Sequence, residues 1–242
     1  MVKTLLILMK LNTIKKILIY CKNEFKNFLI DKFNFRFEVS DSNNSLNDTI
    51  IINSEILSDE ILVRYVFTDD FKRKSVSEEK IITKELLGPL RGGTSLQRER
   101  YCDEQNCYDL GSIIPNKELV AFLIFKKADF QNVLIDFITS EENDCAEKIL
   151  EAYLKATPLD EHFNYINMDT TTVTTKTKGN PAHADLIYLK PQLIPNGTDV
   201  YEKPNSTIRS FSKKMYLHSK LVIFGFHPDT TLNCRKFKEF YN

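Results

Sequence analysis

The sequence predicts an α+β fold, with a mixed or mainly antiparallel sheet and flanking helices. Three observations lead there. Segments such as "FNFRFEV" place apolar side chains at every second residue, the period of a half-buried strand. Other segments repeat apolar residues at three and four, the period of an amphipathic helix. The two kinds do not alternate in the regular βαβ succession that a doubly wound parallel sheet requires.

The elements follow in order. From Asn12 to Phe33 the residues Ile14, Ile17, Leu18, Cys21, Phe25, Phe28 and Leu29 share one helix face. Lys15, Lys16, Lys22, Lys26 and Lys32 make the opposite face basic, suited to an acidic protein partner or simply to water. Phe33, Phe35, Phe37 and Val39 then form a strand, and the polar run "SDSNNSLND" over 40–48 forms a loop. The division expected is a helix-strand extension over 1–55 and an α+β domain over 56–242 that carries the candidate site.

"TIIIN" and "EILVRYVF" are rich in β-branched and aromatic residues and predict two strands. The stretch from Phe71 predicts a short helix to Leu87, broken by Gly88 and Pro89, with a flexible "RGG" and a polar, Arg-rich run after it. "ELVAFLIF" is a buried strand, and "FQNVLIDFI" fits a helix or a strand. "CAEKILEAYLKA" predicts a helix, since Ala146, Ile149, Leu150, Tyr153 and Leu154 recur at helical spacing before Pro158. The Thr-rich run over 168–180 favours extended chain, because β-branching opposes helix. "ADLIYL" is a strand, the Pro-rich run over 191–206 an irregular connection, "STIRSFSKKMYLH" a helix capped by Ser206, and "KLVIFGF" a closing strand.

Composition narrows the function classes. Lys and Arg total 33 and so do Asp and Glu, so no global field draws the chain to nucleic acid or to an anionic membrane. No apolar run approaches the roughly 18 residues that cross a bilayer. "TLLILM" is too short for a secretory core, so the opening belongs to the folded chain or precedes a start at Met9; either predicts a cytoplasmic protein. Five scattered cysteines fit reduced thiols rather than a disulfide scaffold. Cys102 and Cys107 stand close together, but zinc needs a second such pair at matching spacing, so two thiols near a turn are expected and no metal. GxGxxG, P-loop, HExxH and GxSxG signatures are absent, and no cofactor is specified.

Three polar features remain as a candidate site. Arg64 interrupts an apolar strand, where a guanidinium needs a carboxylate, a phosphate or open water to receive it. In "RGGTSLQRERY", Arg91, Arg98 and Arg100 lie beside Ser95 and Tyr101, and Gly92 and Gly93 would let an anion approach the main chain. In "GNPAHADLIYLKP", His183 follows Asn180 and Pro181 at a strand entrance, where it can serve as base, proton donor or hydrogen-bond anchor.

"EILVRYVF", "TSLQRERY" and "NPAHADLIY" together resemble an uncharacterised group of small bacterial proteins whose members read LYRxV, LSVDRxxY and NPxHAxI, over a span from residue 60 to residue 217. The resemblance implies that Arg64, Ser95, Arg98, Tyr101, Asn180 and His183 belong to one recurring pattern. Gln97 stands where that group carries an acid. The order of parts is also similar to ADP-ribosyltransferase-like folds, which implies Arg64 on a phosphate or ribose, Ser95 at a nicotinamide ribose and His183 in place of the usual glutamate.

Two functions fit these features. One is an enzyme or toxin-like effector acting on a nucleotide or nucleic acid, with catalytic His183, Arg64 and Ser95 and with Arg98, Tyr101 and Asn180 holding substrate. The other is a non-catalytic partner-binding protein, an immunity or accessory subunit, in which the same residues form a structural network.

Overall fold

The computed structural model describes residues 49–90, 92–140, 150–176, 178–190 and 199–224. The basic helix expected over 12–33 and the strand after it lie outside the described residues. The strands are β1 (Thr49–Asn53), β2 (Ile61–Phe67), β3 (Thr94–Arg98), β4 (Leu119–Lys126), β5 (Glu151–Ala156), β6 (Thr172–Lys176), β7 (His183–Leu189) and β8 (Lys220–Ile223). The helices are α1 (Glu104–Ser112), α2 (Lys127–Thr139) and α3 (Ser206–Leu217). Among the described residues the strands make two antiparallel sheets, a six-stranded one ordered β5-β7-β3-β2-β4-β8 and the pair β1-β6, so the fold is α+β.

The larger sheet is covered on both faces, which is why β2 and β4 read as near-continuous apolar runs rather than alternating ones. On one face Leu62, Val66, Leu96, Leu123, Phe125, Ala184, Leu186 and Tyr188 meet Phe130, Val133 and Phe137 of α2 and Ile208, Phe211 and Met215 of α3. Phe211 anchors that layer, with the rings of Phe130, Phe137 and Tyr188 set edge-on at 5.9, 5.6 and 6.3 Å. Burying such a side chain contributes about 1.5–3 kcal/mol, to which each ring pair adds roughly 0.5–1.5 kcal/mol. On the other face Ile61, Val63, Tyr65, Phe67, Phe122 and Ile124 pack under Cys107 and Leu110 of α1 and Ile50 and Ile52 of β1.

Three local expectations are corrected. Residues 151–156 form strand β5, not the end of a helix: six residues pair with β7, and exposure alternates from exposed Glu151, Tyr153 and Lys155 to half-buried Ala152 and Leu154. The sheet edge offers a backbone ladder that outweighs a modest helix propensity. The stretch from Phe71 to Leu87 holds short 3-10 turns at Lys72–Lys74 and Glu78–Lys80, with Phe71 bridged to Ile81, because its chain doubles back. Asn205, not Ser206, caps α3: its Oδ1 accepts from the Ile208 amide at 2.8 Å. "FQNVLIDFI" is helical within α2, and β3 and α1 arise in a run whose polar composition concealed both.

Candidate functional site

Arg98 ends β3 with its side chain wholly buried. Its Nε donates to Glu60 Oε1 at 2.6 Å and its Nη2 to Glu60 Oε2 at 2.9 Å, a two-pronged pair. Nη1 donates to the Asn53 carbonyl at 2.6 Å and Nη2 to the Glu55 carbonyl at 2.7 Å. Four of the five guanidinium protons thus have internal acceptors. Tyr101 completes the cluster: its ring lies 4.7 Å from the guanidinium, and its hydroxyl accepts from the Asn53 amide at 2.9 Å. Arg98 and Tyr101 therefore bind the segment from β1 to β2 onto β3.

Arg64 is also turned to the main chain. Its Nε donates to the Leu86 carbonyl at 3.1 Å and its Nη1 to the Ser95 carbonyl at 3.3 Å. Strand parity puts it on the face covered by α2 and α3, with Leu62 and Val66 and opposite Leu123 on β4. His183 lies opposite Gln97, which lies opposite Val63, a residue of the other face. The side chains of Arg64 and His183 therefore leave opposite faces of one sheet and do not converge. Ser95, exposed and opposite Asp185, shares the face of His183.

A second polar cluster surrounds His183, which is 6% exposed. Its Nδ1 lies 3.0 Å from the Thr157 carbonyl and 2.9 Å from Thr157 Oγ1. A carbonyl oxygen only accepts, so Nδ1 carries the proton and Nε2 keeps its lone pair. Thr157 Oγ1 in turn donates to Asp185 Oδ2 at 2.9 Å. The Tyr165 ring stands 6.1 Å from the imidazole, and burial followed by the Asp185 charge raises its hydroxyl above the ordinary value. Asn180 holds the strand entrance: it exchanges backbone hydrogen bonds with Leu159 at 2.9 and 3.1 Å, and its carbonyl accepts from the His183 amide at 3.3 Å. Gln97 Oε1 and Asn180 Oδ1 are buried without a hydrogen-bond partner.

Gly93 packs against this cluster. A Cβ there would stand 3.1 Å from Asp185 Oδ1, so the glycine admits the Asp185 carboxylate where the sequence offered room for an anion to approach. A fixed negative charge at that place repels another. Among the described residues no group of His, Cys, Asp and Glu has the arrangement of a metal centre. The sequence motifs mark none of Glu60, Thr157 and Asp185. Asp185 was within reach of the strand period, since it is two residues after His183 and so on the same face.

Burial holds the His183 imidazole below its ordinary 6.5, against the smaller opposing pull of Asp185 and the Thr157 carbonyl. The unfolded chain then binds the proton more readily than the folded one, so this contribution is present above pH 6.5 and is lost as pH falls below it. Urea unfolding midpoints should decline as pH drops through that range, and His183→Gln should decline less steeply. Parallel pH profiles for the two proteins would contradict the assignment.

No protein family model, no curated protein and no solved structure matches the chain.

Proposed function

We propose that the protein acts without catalysis as a partner-binding protein of the immunity or accessory kind, with its patterned arginines building the sheet. The observation that supports this most is the commitment of Arg98: a guanidinium with four internal hydrogen bonds and a buried carboxylate beside it is not available to a phosphate. Arg64 supports it further, since it holds two carbonyls on the face away from His183. On this reading Arg64→Ala leaves those carbonyls unpaired and lowers stability by about 1–3 kcal/mol. A melting temperature equal to that of the wild type would count against it.

The test of function is to recover the tagged full chain from its native host without denaturation and weigh it by native mass spectrometry. The expected result is one defined protein bound at a fixed stoichiometry. The same preparation should leave a panel of nucleotides, NAD and an RNA oligomer unaltered.

One observation favours the enzyme reading, in which a nucleotide or nucleic acid is acted on at a ribose hydroxyl. His183 is held as the Nδ1–H form by Thr157, which leaves the Nε2 lone pair free to take a proton, and the neighbouring Gln97 and Asn180 carry buried oxygens without a hydrogen-bond partner. Conversion of any panel member that disappears in a folded His183→Gln variant would replace the partner-binding reading with this one.

A further inference from the structure

Cys102 lies just before Asp103, the residue that caps α1, and Cys107 lies within the first turns of that helix. Asp103 Oδ1 accepts from the Asn106 amide at 2.7 Å, which folds the four intervening residues into a tight entry and turns both thiols inward. Cys102 is 2% exposed and Cys107 is fully buried, in the layer formed by Tyr65, Phe67, Tyr101 and Leu110. Their sulfur atoms are 2.9 Å apart. One thiol donates to the other across this gap, which is shorter than the roughly 3.5–4.0 Å of carbon atoms in dispersion contact. A covalent bond at about 2.05 Å requires less than an ångström of further closure.

We propose that Cys102 and Cys107 are a disulfide-forming pair whose bond ties the loop entering α1 to the helix itself. The oxidant is a low-molecular-weight disulfide such as glutathione disulfide. One cysteine, as thiolate after losing its proton, attacks an oxidant sulfur and expels one thiolate, giving a mixed disulfide. The second cysteine, likewise deprotonated, attacks the protein sulfur of that mixed disulfide and expels the other thiolate. The protein loses two hydrogens, and the oxidant leaves as two thiols. Burial, the leading cause, pushes both thiols above their ordinary value, so little thiolate is present and exchange is slow. The bond therefore acts as a lasting structural tie rather than a rapid sensor.

The sequence makes the test direct, because trypsin releases both cysteines in the single peptide Tyr101–Lys117, which has no other cysteine. The folded full chain is equilibrated with glutathione disulfide, then unfolded in iodoacetamide and digested without reduction. The expected product is that peptide lighter by two hydrogens, carrying no alkyl group and restored to two alkylatable thiols by dithiothreitol. The oxidised chain should also melt higher than the reduced one. A peptide alkylated at both cysteines, a persistent glutathione adduct, or a cross-link to Cys21, Cys145 or Cys234 would overturn the pairing. An oxidised chain that melts no higher would overturn the tie.

Discussion

Arg98→Ala is expected to lose about 3–5 kcal/mol of folding stability, because it leaves the Glu60 carboxylate buried without its counter-charge. The Asn53 and Glu55 carbonyls lose their donors in the same step. Against a total stability of about 5–15 kcal/mol for an ordinary domain, that is a substantial share of the whole. Urea denaturation should show a much lower midpoint. The double variant Arg98→Met, Glu60→Leu removes both charges together and should recover most of the loss, since a buried pair contributes less than the penalty of orphaning one member. It should not recover everything, because the two carbonyls remain unpaired. An Arg98→Ala midpoint close to the wild-type value would mean that the cluster is not holding β1 to β3.

Gly179→Ala is expected to be the second most damaging substitution, at about 2–3 kcal/mol. Gly179 has φ of +98°, and a Cβ there would stand 2.1 Å from the Asp160 carbonyl oxygen. Neither the backbone angle nor the space accepts a side chain, and the atom in the way is main chain. Asn180 and Leu159 would have to part, and with them Thr157 would move from His183. The variant should therefore melt lower and also shift the imidazole resonances of His183 in a nitrogen-detected NMR spectrum. An unshifted His183 in a destabilised protein would separate the turn from the cluster it is argued to support.

The sheet was legible where side-chain pattern and pairing agree. "ILVRYVF" and "LVAFLIF" were apolar enough to be strands in any context, and both are buried on two faces. β5 was not legible, because Tyr153 and Leu154 fit a helix as well as a strand, and the β7 partners that decide between them, Ile187 and Leu186, lie more than thirty residues away. The six patterned residues divide for a related reason. Arg98 and His183 stand at strand ends, whereas Arg64 is the middle residue of β2, and the face each one takes depends on register across three strands, so that one residue of parity separates Arg64 from His183. Glu60 was hidden by position: an acid at the mouth of a strand looks solvated until the arginine that covers it is known to be its partner.

The pairing of β1 with β6 has a consequence for the chain as it leaves the ribosome. Ile52 meets Val173, so β1 must wait while everything between them is synthesised before its ladder exists. Meanwhile β2, β3 and β4 are already available to one another. Their association gives a nascent core early, with the apolar side chains of β1 still exposed to chaperones and to neighbouring chains. Closing a loop of that length precedes any reward from the contacts it makes, so of the strand pairings in the fold β1 with β6 carries the largest closure cost.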